Sequence, residues 1–373
     1  MVWTGAHKRL VATYTVVHGL GEFLTALTLF SLVATWNSPA WQVLAYNVVA
    51  FGGPIVVAVL VSRSRYALRL REGPLGLVGA AVMAAGLLTG RAGWVCVLVL
   101  GAGSALLHIA AGTATLKVPG RPGTAVGLFE SSGAFGLALG GLLGVGVWTG
   151  AALTPWIGVG AVALLLGGLA VLRWGTEAET PGVGAAILRP DDASATAAWA
   201  FDVGAGWVPL AALGGLAAVS VVRSVVGGGA PMPWKEGTTL VLGAALAVAF
   251  GRALGGILAD RWGLYVPAVF GLVGAGFLLA MRPDAAWAGL AGSFCLALPM
   301  APVILGLLAS LGRPSLAFGL AQLFQVPAAA AAGLALGPWA LGVALLLSAG
   351  VILWLHTARR VVPESHPGYV VVR

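Results

Sequence analysis

Charged side chains are scarce in this sequence. Asp, Glu, Lys and Arg together make up 9% of the 373 residues, whereas hydrophobic residues make up 59%. Because a soluble domain carries about 25% charged residues, this chain has more apolar surface than a water-soluble core can bury. The apolar runs are also long and continuous, which is typical of transmembrane helices. The composition therefore excludes a soluble protein and predicts an all-α integral membrane protein.

Cysteine is nearly absent, and motifs for enzymatic chemistry are missing. Cys96 and Cys295 both lie in apolar runs, which predicts small buried side chains rather than a disulfide or a metal site. The chain has no Gly-x-x-x-x-Gly-Lys-Ser/Thr loop, no catalytic triad and no zinc-binding helix motif. We therefore expect that the protein is not an enzyme, uses no cofactor and draws energy from an ion gradient rather than from ATP.

Twelve apolar segments have the length needed to cross a hydrocarbon layer about 30 Å thick. The predicted spans cover residues 10–34, 41–62, 74–90, 94–116, 123–147, 152–172, 207–231, 237–258, 264–281, 285–309, 315–337 and 338–357. The longest connection, 173–206, is the natural hinge between two halves. We predict an N-terminal six-helix bundle at 1–172, a cytoplasmic linker at 173–206, and a C-terminal bundle with a short tail at 207–373.

Positive charge is distributed unevenly between the two sides of the membrane. The formal net charge is +8 and the pI is near 10.2. With the N-terminus in the cytoplasm, 15 of the 20 Lys and Arg residues fall inside, 3 fall outside and two lie within spans. This bias predicts an inner-membrane protein with both termini cytoplasmic. The basic balance then reflects topology and contact with anionic lipids, and we expect no nucleic-acid partner.

The two halves of the chain share sequence. The segment GRPGTAVGL at 120–128 matches GRPSLAFGL at 312–320, at an offset of 192 residues. A second match, at an offset of 199, places Ala50-Phe-Gly on Ala249-Phe-Gly, and a weaker one places His18 opposite Arg223. Because both halves begin on the same side of the membrane, the repeats are parallel and related by an axis along the membrane normal.

The end of span 8 carries a glycine-rich turn with one acidic and one basic residue. Gly256, Asp260, Arg261 and Gly263 form the pattern Gly-x-x-x-Asp-Arg-x-Gly. With twelve spans in two parallel halves and a long middle loop, this turn resembles the major facilitator superfamily over nearly the whole chain. The resemblance implies a secondary transporter that works by alternating access, with spans 1, 4, 7 and 10 around a central cavity.

The first half departs from the family pattern, because Val61 stands where the acidic residue of the turn would be. A gating role for that position is therefore not expected here. The segment LHIAAG at 107–112, followed by Gly-Arg-Pro, is distantly similar to the fosmidomycin-resistance-like efflux branch of the superfamily. That similarity slightly favours efflux over uptake.

Six ionisable side chains within the predicted spans stand out as candidates. Each costs at least about 2.5–3.5 kcal/mol in hydrocarbon on insertion scales, so each is expected to have a function or a fixed partner. They are His18, Glu22, His108, Glu130, Arg223 and Arg252.

His18 and Glu22 are four residues apart and share one face of span 1. Desolvation favours the neutral form of a carboxyl group, so Glu22 is suited to take up and release a proton during transport. The alternative is a structural ion pair of Glu22 with His18 or Arg223. His108, on span 4, is a second candidate for substrate or proton handling, or else a core histidine with its hydrogen bonds satisfied.

Arg223 is a fixed cation suited to anchor a carboxylate or phosphate group. Its alternative role is that of counter-ion to Glu22 or Glu130. Glu130 matches Gln322 at the 192-residue offset, so the two polar groups are expected at equivalent cavity positions. Alternatively, Glu130 pairs with Arg121 or another inner-face cation.

Further polar residues complete the candidate set. Hydrogen bonds to a solute or between helices are expected from Tyr46, Asn47, Gln322 and Gln325. Arg252, Asp260 and Arg261 are candidates for gating rather than substrate contact, with Arg252 expected to pair with Asp260 or with helix-end carbonyls. The small residues Gly251, Gly255 and Gly256 predict that another helix approaches span 8 closely.

Three functions remain open from the sequence. The first is a monomeric proton-coupled transporter of a small anionic or polar organic solute. The second is a transporter of a divalent transition metal, which would use two imidazoles and two carboxylates as ligands. Those ligands would be His18, Glu22, His108 and Glu130. The third is a sensor or partner subunit that keeps a transporter fold without net transport.

Overall fold

A computed structural model gives the fold of the chain. It describes residues 3–32, 39–63, 71–89, 93–146, 154–178, 208–229, 234, 237–327 and 337–358. The described secondary structure is entirely helical, as predicted. Among the residues that the structure describes, eight helical segments are long and apolar enough to cross a membrane, and three shorter apolar helices accompany them.

The first half contains seven α-helices. They are α1 (Gly5–Leu32), α2 (Pro39–Asn47), α3 (Gly53–Arg63), α4 (Glu72–Leu88), α5 (Trp94–Leu116), α6 (Pro122–Gly146) and α7 (Thr154–Ala178). A π-helical turn, Val48–Gly52, joins α2 to α3. Span 2 is therefore one continuous helical rod with a local change of pitch just before Pro54, whose missing N–H disfavours a regular helix interior.

The second half repeats the pattern. Its helices are α8 (Val208–Gly229), α9 (Thr238–Trp262), α10 (Tyr265–Met281), α11 (Ala286–Ala297), α12 (Met300–Leu311), α13 (Pro314–Leu323) and α14 (Pro338–Ala358). Span 10 is divided into α11 and α12 at Leu298 and Pro299, where proline again removes a backbone donor.

Several helix ends differ from the predicted boundaries by two residues or more. α7 continues to Ala178, six residues into the segment assigned to the linker, and α1 begins at Gly5 rather than residue 10. Most of the predicted linker, 179–206, and the second part of span 11 lie outside the described residues. A helix end and a short loop have similar compositions, and hydropathy indicates which residues lie in hydrocarbon rather than the residue at which a helix ends. The predicted boundaries therefore differ from the observed helix ends.

The two halves pack through a limited set of helices. α6 packs against α9, α13 packs against α3 and α5, and α12 packs against α6. Large apolar side chains such as Leu60, Phe250 and Phe270 are exposed on the outside of the bundle, as lipid contact requires. The ionisable candidates within the spans therefore face the interior, because the apolar exterior leaves them no other low-energy position.

Glycines on α9 allow the closest helix contacts, as predicted. A Cβ at Gly251 or Gly255 would collide with backbone of Phe294 or Leu298, and one at Gly256 would collide with the backbone of Gly123 on α6. The first two glycines thus serve packing within the second half, whereas Gly256 brings the two halves together.

Candidate transport site

Two histidines from different helices meet in the first half of the bundle. His18 on α1 and His108 on α5 are both 2% exposed, and their Nε2 atoms are 3.0 Å apart. The ring planes are nearly perpendicular, at 82°. Each Nδ1 atom lies against a backbone carbonyl oxygen, 2.9 Å from that of Phe129 for His18 and 2.8 Å from that of Ser104 for His108. Both rings are therefore fixed at both nitrogens.

Glu22 extends this cluster by one hydrogen-bonded step. The Ser104 hydroxyl donates to Glu22 Oε1 at 2.9 Å, and the Tyr46 hydroxyl lies 3.4 Å from Oε2. Glu22 Oε1 is 4.0 Å from His108 Nδ1. Glu22 is thus held by hydroxyl groups beside the histidines, and neither Arg223 nor His18 is its hydrogen-bonding partner.

Small and aromatic residues set the position of His18. A Cβ at Gly133 on α6 would overlap the His18 ring, so only glycine leaves room for the imidazole there. The Phe129 ring stacks on His18 with centroids 4.1 Å apart and an angle of 20°. The ring of His18 therefore packs against α6, and its orientation is set by this packing as well as by hydrogen bonds.

A second polar cluster bridges the two halves. Arg252 Nη1 on α9 donates to the Glu130 carboxylate at 3.1 Å and to the Glu130 backbone oxygen at 3.0 Å. Gln322 Nε2 on α13 donates to the other carboxylate oxygen at 2.6 Å, and Gln325 donates to Gln322 at 2.8 Å. Arg252 thus pairs with Glu130 rather than with Asp260, and the partner of Glu130 is a cation other than Arg121, which was the second alternative for Glu130.

Asp260 makes a separate contact between the halves at the beginning of α6. Its two carboxylate oxygens accept hydrogen bonds from the backbone N–H groups of Gly123, at 2.9 Å, and Thr124, at 2.6 Å. These donors have no partner within their own helix, and the positive end of the helix dipole also attracts the carboxylate. Asp260 therefore caps a helix of the opposite half, while its neighbour Arg261 is exposed.

Arg223 on α8 is buried without a carboxylate at hydrogen-bonding distance. It is 7% exposed, and Nη2 donates to the Met300 sulfur at 3.1 Å. A thioether is a weak acceptor, whereas a guanidinium group offers five N–H donors. The described part of the chain thus leaves most of this cation's hydrogen-bonding capacity available to a ligand.

Three of the four proposed metal ligands lie together. Ligand atoms of His18, Glu22 and His108 are all within 4.8 Å of one another, and the Nδ1 atom of each histidine lies against a backbone carbonyl oxygen, a contact that metal-binding histidines commonly make. Glu130 belongs to the Arg252 cluster instead. Among the described residues, the group that could hold a metal therefore contains three of the four expected ligands, His18, His108 and Glu22.

A cavity of about 350 Å³ opens between the halves near the end of α5 that precedes Lys117. Ile109 and Thr113 on α5 line it from the first half, and Arg313 and Ser315 line it from the second. None of His18, Glu22 and His108 lines this cavity. Lys117 also lines it and is ion-paired with Glu72.

The sequence did not single out several residues that build these clusters. Ser104, Gly133 and Met300 are ordinary residues of membrane helices, and no local pattern marks them. Ser104 carries one usable signal, because it is four residues before His108 and therefore one turn away on the same face. Asn47, by contrast, was a candidate, and its amide donates to Val43 of its own helix at 2.8 Å.

No protein-family profile and no curated protein sequence matches the chain. Solved structures do. A structure of the human organic anion transporter MFSD10 is similar with a TM-score of 0.61 at 15% identity, covering 95% of this chain and 100% of that one. A structure of the fucose:proton symporter of E. coli is similar with a TM-score of 0.59 at 12% identity, covering 94% and 97%. The chain therefore has the major facilitator fold.

Proposed function

We propose that this protein is a secondary transporter that moves a small anionic or polar organic solute across the inner membrane by alternating access, with protons as the coupling ion. Its fold is that of solved transporters, among them a sugar:proton symporter and an organic anion transporter. Its buried ionisable groups gather in the interior of the bundle and at the contact between the halves, where an alternating-access carrier needs them.

Arg223 is the observation that supports an anionic cargo. An arginine at 7% exposure with a sulfur atom as its hydrogen-bonding partner is costly unless a ligand complements it. A planar carboxylate or a phosphate matches the fork of guanidinium donors. We assign Arg223 as the anchor of the solute, on the helix that the resemblance places at the central cavity.

Two contacts between the halves are the ones that must change during alternating access. Asp260 joins the end of α9 to the beginning of α6, and Arg252 joins α9 to Glu130. Both contacts connect one half to the other, so the halves must break them in order to rock apart. In this proposal they stabilise one facing state, and cargo or protons release them.

A divalent metal is the second candidate cargo, and one observation favours it. His18, His108 and Glu22 form a group whose nitrogen and oxygen donors suit a transition metal. Glu22 is nevertheless held by Ser104 and Tyr46. Those hydroxyl groups compete with a metal for the lone pairs of Glu22, so we place the metal second.

The experiment uses purified protein in proteoliposomes that contain a pH-sensitive dye. Small carboxylates, organic phosphates, neutral sugars and divalent metals are added one class at a time, and proton movement is recorded together with the thermal midpoint of the protein. We expect one anion class to raise the midpoint and to move protons.

Arg223→Ala is expected to weaken the binding of that anion by about 30-fold or more, because losing one partner of a buried charge pair costs about 2–5 kcal/mol. Arg223→Lys keeps the charge and should lose less. The matched control is Arg282→Ala, at an exposed arginine after α10, which should bind the anion normally. A response to divalent metals alone, or an equal response of Arg223→Ala and wild type, would overturn the proposal.

A further inference from the structure

We propose that the cavity of about 350 Å³ between the first half and the beginning of α13 binds a phosphate group, which takes the place of a carboxylate that α3 lacks. Arg223 does not line this cavity, so the site is separate from the one assigned to the solute. Binding here does not depend on the proposed function and can be measured without transport. Two contacts between the halves, which the sequence repeat makes equivalent, lead to this site.

The first of these contacts joins α6 to α9. The backbone N–H groups of Gly123 and Thr124, at the beginning of α6, donate to the two oxygens of the Asp260 carboxylate. About one turn further along α6, a Cβ at Gly127 would lie 3.3 Å from the carbonyl oxygen of Ala253 on α9. The beginning of α6 is therefore capped by an acid of the other half, at a place where the two helix backbones are adjacent.

The second contact joins α13 to α3 and has the same geometry. Gly319 on α13 corresponds to Gly127 at the 192-residue offset. Pro54 on α3 corresponds to Ala253 at the 199-residue offset. A Cβ at Gly319 would lie 3.1 Å from the carbonyl oxygen of Pro54. The glycine and the carbonyl group that meet in one contact therefore also meet in the other, so the two contacts are structurally equivalent.

The acid of the first contact has no counterpart in the second. Val61 stands on α3 where Asp260 stands on α9. Ser315 and Leu316 hold the positions of the two capped residues of α6. Among the described residues, no side chain accepts from their N–H groups, and the N-cap residue Arg313 does not cap them either. A helix cannot satisfy these first N–H groups internally, so α13 begins with donors that await an acceptor.

The cavity occupies the space of the missing carboxylate. Val61 and Ser315 both line it. In the first contact, a Cβ at Gly123 would lie 2.7 Å from a carboxylate oxygen of Asp260, so a side chain there and the acid exclude each other. In the second contact the acid is absent and a serine is present. The Ser315 hydroxyl is therefore a further donor at the same place.

Thr113 is an independent indication that the cavity takes a polar ligand. The residue lines the cavity and is 7% exposed, and its hydroxyl makes no hydrogen bond with another described residue. A helical threonine commonly bonds back to a carbonyl of the preceding turn, as Thr115 does to Gly112 at 3.0 Å. A buried hydroxyl without a partner is costly, and a ligand in the cavity would supply one.

The charges around the cavity favour an anion. Lys117 and Glu72 line it and are ion-paired with each other. Arg313 also lines it, and no carboxylate of the described residues pairs with that guanidinium group. One positive charge is therefore left over, and the positive end of the α13 dipole adds to it.

A phosphate group matches this set of donors. A carboxylate has two oxygens, and the two N–H groups at the beginning of α13 would use both. A phosphate has further oxygens for the hydroxyl groups of Ser315 and Thr113 and for the Arg313 guanidinium, which binds phosphate oxygens through two donors at once. The cavity also leaves room for the group that carries the phosphate, which is either a soluble ester or a lipid headgroup. By joining α13 to α5, the bound phosphate stabilises the contact between the halves.

The test is isothermal titration calorimetry of the purified protein in a maltoside detergent, which contains no phosphate. Inorganic phosphate and glycerol phosphate are the soluble probes, and phosphatidylglycerol is the lipid probe. We expect saturable phosphate binding and a higher thermal midpoint of the wild type. Phosphatidylglycerol that competes with inorganic phosphate identifies a lipid headgroup as the ligand, whereas phosphate binding that the lipid leaves unchanged identifies a soluble phosphate.

Val61→Asp restores the missing acid. Its carboxylate should cap α13, raise the thermal midpoint without phosphate and abolish phosphate binding at this site. Arg313→Ala and Ser315→Ala should each weaken binding by about 2-fold to 10-fold, which is the range for an exposed charge or a single hydrogen bond. They decide the question if Val61→Asp fails to fold. The matched control is Arg121→Ala, at the same position of the repeat before the capped helix α6, which should bind phosphate as wild type does.

Three results would overturn the inference: no saturable phosphate binding, equal binding by Val61→Asp and wild type, or an equal loss in Arg121→Ala and Arg313→Ala. Arg223→Ala separates this site from the solute site. Phosphate binding that disappears in Arg223→Ala and persists in Val61→Asp would sink this inference and leave the proposed function standing. Phosphate binding at this site in a protein that transports nothing would sink only the proposed function.

Discussion

Glu130 and Gln322 illustrate how a repeat translates into a contact between residues. They are 192 residues apart, which is the offset of the GRP repeat, and the Gln322 amide donates to the Glu130 carboxylate at 2.6 Å. Residues related by an axis along the membrane normal meet only if they lie close to that axis. Their contact therefore places this cluster close to that axis, at the centre of the bundle.

The residue-scale prediction is that Glu130→Gln destabilises the protein. The change leaves the Arg252 guanidinium, whose side chain is 16% exposed, without a carboxylate. Breaking a fully buried pair costs about 3–5 kcal/mol, and we expect roughly 2–3 kcal/mol here because Arg252 keeps some exposure. Denaturant unfolding in detergent, followed by circular dichroism, measures the loss.

The control is the double-mutant cycle with Arg252→Gln. If the two side chains stabilise each other, the double variant should be more stable than the sum of the two single losses predicts. Additive losses would mean that the Glu130–Arg252 contact contributes nothing beyond its separate parts.

At the scale of helices, α9 contributes two features about one turn apart to its contact with α6. Gly256 lets its backbone touch α6, and Asp260, one turn later, caps the first N–H groups of that same helix. The close approach and the cap depend on each other, since a carboxylate as short as that of Asp260 reaches those donors only when the two backbones are adjacent. This explains why glycine and aspartate stand four residues apart in the turn.

The element-scale prediction concerns Asp260→Asn. Asparagine keeps one acceptor oxygen but removes the negative charge, and N-terminal caps and dipole contacts are worth about 0.5–2 kcal/mol. We expect the population of the conformation in which α6 and α9 are in contact to fall by about 2-fold to 30-fold relative to the alternative.

Spin labels at Lys8→Cys and Trp262→Cys, both exposed and in opposite halves, report the separation by pulsed electron resonance. Cys96 and Cys295 are buried and are replaced by serine first. The same label pair with Asp284→Asn, at an exposed aspartate after α10, should give the wild-type distance distribution. An unchanged distribution in Asp260→Asn would show that the cap does not hold the halves together.

At the scale of the molecule, the exterior and the ends of the helices serve different purposes. The lipid-facing surface is apolar, while basic residues collect at one end of the bundle in the predicted topology. Long basic side chains near an interface bind anionic lipid heads and resist translocation. In that topology, the basic residues expected to set the orientation take no part in the buried clusters.

The whole-molecule prediction is that both termini are cytoplasmic. In a background without Cys96 and Cys295, cysteine at Arg282 should react with a membrane-impermeant thiol reagent added to intact cells, and cysteine at Lys8 should react only after permeabilisation. Both positions are exposed, so a difference in labelling reports the side of the membrane rather than burial. The reverse labelling pattern would invert the topology.

The sequence by itself determined the membrane class, the apolar spans and the short set of ionisable residues inside them. Hydropathy and charge are local properties, and the cost of an ionisable group in hydrocarbon does not depend on which helix lies next to it. Only the tertiary structure decided which partner each of those residues meets: His108 for His18, Ser104 for Glu22, and Arg252 for Glu130. The reason is that pairing depends on the rotation of each helix about its own axis and on glycines that set how closely two helices approach, and neither is written in the spacing of residues along one helix.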